Sequence, residues 1–329
     1  MATSTETGED TVSAKVLQQS SRTPYACSSL TQLSSRPVNF AYRDVLSQPF
    51  TTQNGMTAGS IIIKHSTDVL AARHDIQLDD QRSTFEEALF NSVAEFSCPS
   101  TIGTMIKAPR LYLPSPATAG RHLGSWLQSF HTWASAPAQA TLRGQMQMLQ
   151  DDPIGKVKYL LTYDSFFKVL ENYPELLEAH QEKLETIRDV LGKEFEKSPK
   201  EDNENWGLIH GDFWSGNILV QNTPWVNTPQ RDRTNKLFII DWKFAQFGHR
   251  CYDLGKIVGD LIERRIYNDN STGMAIMEGV IDGYGNLSDE MTFRTAIYVG
   301  VYVIGWYNRR PRKGPWVAHS EAIVAGLAL

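Results

Sequence analysis

The sequence predicts an α+β protein of two lobes, a small β-rich lobe followed by a larger helical one. Three observations predict it. Up to Leu113 the apolar residues come in short strand-like runs, as in Val38–Arg43 and Ser60–Lys64. Beyond residue 120 they recur at helical spacing over long stretches. Between the two textures lies a Pro/Ala/Ser segment, 114–120, that reads as a linker. With 329 residues, 41% hydrophobic and 21% charged, the chain has ordinary globular composition and enough length for two lobes.

Residues 1–22 are polar and acidic, with Glu6, Glu9 and Asp10, and have the pattern of neither a signal nor a transit peptide. They are expected to form a flexible leader. The small lobe is expected over 23–113. Its two β runs flank a polar stretch with an Asn54-Gly55 pair, a turn signal, so an antiparallel pair is predicted. A helix follows over roughly 80–96: Ser83-Thr84-Phe85-Glu86 resembles a capping box, Phe85, Leu89 and Val93 form an apolar stripe, and Cys98-Pro99 ends it. Leu111–Leu113 reads as one more strand.

The large lobe is expected over 121–329. Helices are predicted near 121–134, 156–171, 175–196 and 291–307, the third most clearly, from Leu184, Ile187, Val190, Leu191 and Phe195. Two β pieces, Ile218–Val220 and Leu237–Ile240, are embedded among them.

A net charge of −5 gives no general basic field for nucleic acid, and the local cluster Arg309–Lys313 reads as a solvated loop. The longest uncharged apolar stretch, Thr295–Tyr307, is too short to span a bilayer. Cys27, Cys98 and Cys251 stand far apart with no CxxC, which fits a reducing compartment. A cytoplasmic protein without nucleic-acid or membrane partners is expected.

The chemistry is concentrated in His210-Gly211-Asp212-Phe213-Trp214-Ser215-Gly216-Asn217 and in the later Ile239-Ile240-Asp241-Trp242. Gly, Asp, Ser and Asn also serve ordinary turns between strands. However, Asp212 and Asn217 have the Asp-x-x-x-x-Asn spacing of a kinase catalytic loop. Asp241, 29 residues after Asp212, ends an apolar strand from which it can meet Asn217 around Mg²⁺. Magnesium accepts such oxygen-only ligation, with phosphates and water completing it. No zincin His pair and no Gly-x-Ser-x-Gly elbow occurs, so zinc enzymes and hydrolases fall behind.

This string resembles the aminoglycoside phosphotransferase and choline kinase group of small-molecule kinases, and looks most like fungal methylthioribose-kinase-like proteins. The similarity runs from about Leu33 to the C-terminus. The resemblance implies a protein-kinase-like fold, ATP and Mg²⁺ as cofactors, and a small-molecule alcohol as acceptor. It implies Asp212 as catalytic base and Asn217 and Asp241 as magnesium ligands. It also implies that His210 orders the catalytic loop and that Asp253, in Asp253-Leu254-Gly255, braces it from behind. His131 reads as a helix packing residue.

In the small lobe, Lys64 ends a β-branched strand as a lysine aimed at nucleotide phosphates should. Glu86 is its expected ion-pair partner, chosen over Glu87 by the family pattern of an aromatic followed by Glu. Ser35 and Arg36 stand where relatives carry a glycine pair over the nucleotide; they can still donate to or pair with phosphate, with harder close backbone approach. The seven residues 114–120 leave no room for the further strands and hinge of relatives. Two readings result: an ATP- and Mg²⁺-dependent kinase for a metabolite hydroxyl, or a non-catalytic kinase-like binding protein. Tyr298, Tyr302, Trp306 and Tyr307 could line an acceptor site or pack a core.

Overall fold

The computed structural model describes residues 8–35, 39–51, 55, 57–66, 69–70, 73–77, 81–94, 96, 98–99, 105–106, 110–111, 116–148, 154–196, 203–220, 235–268 and 271–307. By packing, the chain divides into two compact units, Met1–Asp80 and Gln81–Leu329.

The first unit opens with a correction to the expected leader. Residues Gly8–Ser20 form helix α1, which packs on strand β1, Cys27–Ser35. Val16 and Ser20, one turn apart, are buried, and the Ser20 hydroxyl lies 2.9 Å from the Cys27 thiol. One buried valine among polar neighbours is too faint a stripe to read from composition. β1 pairs with β2 (Asn39–Thr51), which pairs with β3 (Thr57–Ser66), all antiparallel. The β2–β3 pairing is the expected one, with Ala41 opposite Lys64. β1 is an addition; its Ser, Thr and Gln residues hide the strand pattern. A hairpin of β4 (Val69–Leu70) and β5 (Arg73–Gln77) completes the unit.

The second unit begins with helix α2, Gln81–Ala94, assigned from sequence to the small lobe. Short strands β6 (Cys98–Pro99), β7 (Met105–Ile106) and β8 (Arg110–Leu111) follow. Helix α3 spans Pro116–Ser135, so 116–120, expected as linker, are the start of a helix. Proline suits that position because the first helical N–H has no intrahelical partner anyway. Residues 112–115 lie outside the described residues. Next come α4 (Ala140–Met148) and α5 (Ile154–Tyr159); a π-helical turn (Leu160–Asp164) runs from α5 into α6 (Ser165–Leu170), and α7 spans Pro174–Glu196. Strands β9 (Trp206–Ile209), β10 (Ile218–Val220), β11 (Asn235–Ile239) and β12 (Gln246–His249) precede α8 (Cys251–Asn268), α9 (Ser271–Tyr284) and α10 (Asp289–Tyr307).

The fold is therefore mixed α and β, mostly helical, with small sheets. Two of these sheets carry the His210–Asn217 and Ile239–Trp242 segments: β8–β11–β10, and β9 with β12, all antiparallel. Helices α3 and α9 meet backbone to backbone. Gly120 and Gly124 face the carbonyls of Ile276 and Val280, while Gly279 and Gly283 face those of Ala117 and Arg121. A Cβ at any of the four would collide with the opposing chain, so the four-residue spacing on both helices sets their approach. α10 packs on α8 in a related way, with Tyr298 over Gly255 and Tyr302 over Gly259. These two aromatics are 1% and 2% exposed and so take the packing role.

Among the described residues, no helix is long and apolar enough to cross a membrane.

Candidate active site

The site is built where two segments interlock. The first runs from β9 through Asp212 to β10, the second from β11 through Asp241 to β12. β9 and β12 pair with Ile209 opposite Gln246. β10 and β11 pair with Ile218 opposite Ile239, and the Ile240 N–H donates to the Asn217 carbonyl at 3.0 Å. That bond sets Asn217 beside Asp241. Gly211 has φ +80°, and a Cβ there would strike the Phe244 carbonyl, so only glycine permits this approach.

Two aromatic anchors fix the acids. Phe213, next to Asp212, is fully buried and stacks on Trp126 of α3 at 5.7 Å. Trp242, next to Asp241, is 1% exposed and meets Phe130 edge-on at 5.1 Å. Between these anchors Asp241 takes a left-handed conformation, φ 68° and ψ 56°, alone among the described non-glycine residues. Such a conformation costs an aspartate roughly 1 kcal/mol, and the surrounding packing must hold it.

Asp212 is held at both carboxylate oxygens. Asn217 Nδ2 donates to Oδ2 at 3.0 Å and to the Asp212 carbonyl at 2.8 Å, while Lys256 Nζ of α8 sits 2.6 Å from Oδ1. Burial pushes this carboxyl up. Lys256, then Lys243, outweigh that and hold it well below the usual carboxylate range. At Asp241, Lys243 Nζ lies 3.1 Å from Oδ2, both side chains being 9% exposed. Each site carboxylate therefore has a lysine counterion.

Behind the loop, Asp253 of α8 accepts the His210 N–H at 2.7 Å and the Gly211 N–H at 2.8 Å. His131 Nε2 of α3 reaches the same carboxylate at 3.2 Å, and its Nδ1 meets the Tyr284 hydroxyl of α9 at 2.8 Å. Burial pushes the Asp253 carboxyl up, but the His131 hydrogen bond and nearby positive charges bring it below its ordinary value. His210 is neutral: burial lowers its pKa, Nδ1 accepts the Asp212 N–H at 3.2 Å, and Nε2 donates to the Ile240 carbonyl at 3.0 Å. It thus ties the two segments together and has no nitrogen left for proton transfer. Asp260, one turn beyond Lys256, accepts the Ser215 N–H at 3.2 Å and pairs with Arg264.

Of the residues expected from sequence, the structure brings Asp212, Asn217 and Asp241 together, with His210 and Asp253 supporting them. Lys64 stands exposed on β3 in the first unit. Glu86 lies half-buried on α2, whose helix packs against the turn Trp242–Phe244. Ser35 closes β1 opposite Phe40, and Arg36 lies outside the described residues. His131 has more than a packing role, because it orients Asp253. Lys243, Lys256 and Asp260 were not singled out from sequence. Lys256 could have been found: it follows Asp253 by three residues on a helix, which sets it on the same side.

The donor set fits magnesium. Asn217 and Asp241 offer a carboxamide and a carboxylate, both oxygen donors, side by side. Among the described residues no group of three His, Cys, Asp or Glu is placed to hold a metal, so phosphates and water would complete the shell.

Comparison with known proteins agrees with this architecture. The model of the phosphotransferase enzyme family matches residues 102–294. Phosphotransferase FrzJ of Cladobotryum sp is 28% identical over 344 residues, spanning 91% of this chain and 86% of its own. A 4-hydroxytryptamine kinase of Psilocybe cubensis is 25% identical over 101 residues, 30% of this chain and 27% of its own. Among solved structures, an amicoumacin kinase in complex with AMP-PNP, Ca²⁺ and Ami superposes with a TM-score of 0.51 at 13% identity. That match covers 98% of this chain and 94% of the kinase, and shows a shared fold.

Proposed function

The chain belongs to the phosphotransferase enzyme family, and we propose that it transfers a phosphoryl group from ATP to a hydroxyl of a small molecule, with Mg²⁺. The observation that carries this reading is the Asp212 carboxylate, kept ionised and oriented at both oxygens beside the Asn217–Asp241 donor pair. Phosphoryl transfer leaves little covalent chemistry to a protein, so positioning and charge dominate. Asp212 would orient the acceptor hydroxyl and take its proton late in the reaction. Asn217 and Asp241 would hold magnesium, which when bound neutralises charge on the phosphate oxygens. Lys64, Glu86, Ser35 and Arg36 stay the candidates for the nucleotide phosphates, on the sequence resemblance alone.

The named substrates of the similar proteins support a small-molecule acceptor: one relative is a kinase of 4-hydroxytryptamine and one structural neighbour is an amicoumacin kinase. The test is radiolabelled ATP with Mg²⁺ against a panel of hydroxylated small molecules, with and without an amine. Label transfer that requires Asp212 supports the reading. Nucleotide binding with no transfer to any acceptor would favour the second reading, a kinase-like protein that binds without transfer. One observation favours that alternative: both site carboxylates are already engaged by lysines.

A further inference from the structure

Lys243 follows Asp241 by two residues, and the left-handed backbone at Asp241 turns the chain so that both side chains share one space. The ammonium lies 3.1 Å from Asp241 Oδ2 and 5.4 Å from the Phe244 ring centroid. It is nearly as enclosed as the carboxylate, so little water screens the pair. Lys256, 2.6 Å from Asp212, repeats the arrangement on the other acid. The four charges of Asp212, Asp241, Lys243 and Lys256 sum to zero.

A divalent ion arriving alone would add two positive charges beside two ammonium groups in a poorly hydrated space. It would also have to displace Lys243 from the oxygen it needs. A nucleotide changes the balance, since its phosphates offer the displaced ammonium a new partner and bring compensating negative charge.

We infer that Lys243 is a resident cation that competes with the divalent metal for Asp241, so that the metal binds well only together with the nucleotide's phosphates. The inference rests on the assignment of Asp241 as a metal ligand made above. Lys243 is then a determinant of binding order, holding the metal site closed to bare ions and handing Asp241 over when a polyphosphate is present.

The experiment measures Mn²⁺ binding to nucleotide-free protein, from the electron paramagnetic resonance signal of the free ion. The parent protein is compared with Lys243→Met, Lys243→Arg and Asp241→Ala. Lys243→Met should bind Mn²⁺ about ten-fold tighter than the parent or better, and Lys243→Arg, which keeps the charge, should stay as weak as the parent. Equal affinity in parent and Lys243→Met, with binding still lost in Asp241→Ala, overturns the competition while leaving the metal assignment standing. If Lys243→Met gains affinity but keeps it when Asp241 is also replaced by Ala, Asp241 is not the ligand and both assignments fall. Should Lys243→Met not fold, Lys243→Gln is read in the same way.

Discussion

Asp253, behind the His210–Asn217 loop, and Asp212 and Asp241 at the candidate site are buried or nearly buried acids satisfied by different means. Asp253 is fully enclosed and spends its oxygens on fixed donors, two backbone N–H groups and His131. Asp212 and Asp241 are 14% and 9% exposed, and each carries a lysine ammonium on a flexible stem. Fixed backbone dipoles cannot leave a carboxylate without unfolding the loop, whereas an ammonium can be exchanged for a ligand. One acid therefore maintains the fold, and the other two are held in readiness.

The largest expected effect breaks or confirms the active half of this comparison. If Asp212 is the proposed base toward the acceptor, Asp212→Asn should lower turnover about 10²- to 10⁴-fold with little change in nucleotide affinity. Steady-state kinetics with calorimetric nucleotide binding checks it, and equal loss of both would remove Asp212 from that role.

Asp253→Ala should instead act on stability. It takes the acceptor from two buried backbone N–H donors and from the Nε2 of His131, a loss of about 3–5 kcal/mol. Urea unfolding measures it, and a loss below about 1 kcal/mol would show that the loop does not depend on this brace.

Lys158 sharpens the contrast from the opposite direction. It is 4% exposed, lies 5.0 Å over the Tyr252 ring, and its Nζ has no hydrogen-bond partner among the described residues. Burial pulls it from 10.5 down to about 8, against the attraction of Asp253. Between pH 8 and 10.5 the unfolded chain holds this proton more often than the folded one, so stability gains as pH rises through that window. Below pH 8 the penalty of the buried charge is fully present. Lys158→Met should therefore stabilise the protein by about 1–3 kcal/mol at pH 7, with the gain shrinking as pH approaches 10.5. Unfolding of parent and variant at pH 7 and 10 tests it, and a gain that does not depend on pH would assign the effect to packing.

How much of this was legible in the sequence follows from how local each feature is. Asp212, Asn217 and the strand-ending Asp241 were readable because spacing along the chain fixes them within one loop and one strand end. His131 was not, because its partners Asp253 and Tyr284 come from α8 and α9, more than a hundred residues away. Helices α8 and α9 themselves escaped because glycines at 255, 259, 273, 279 and 283 depress helix propensity. Most of those glycines are there to let α10 and α3 approach, a tertiary requirement. Lys243 reads as one more surface lysine until the left-handed turn at Asp241 folds it back. The start of α3 at Pro116 was masked by a Pro/Ala/Ser composition that suits a linker equally well.

The central claim is that Asp241 is an exchangeable acid whose use is to hold magnesium. It is tested most directly by calorimetric titration of ATP, with and without Mg²⁺, into the parent and Asp241→Ala. Mg²⁺ should tighten ATP binding to the parent by about ten-fold or more and leave the variant unaffected, since Asn217 alone is a poor magnesium site. The same Mg²⁺ dependence in both proteins would contradict the account.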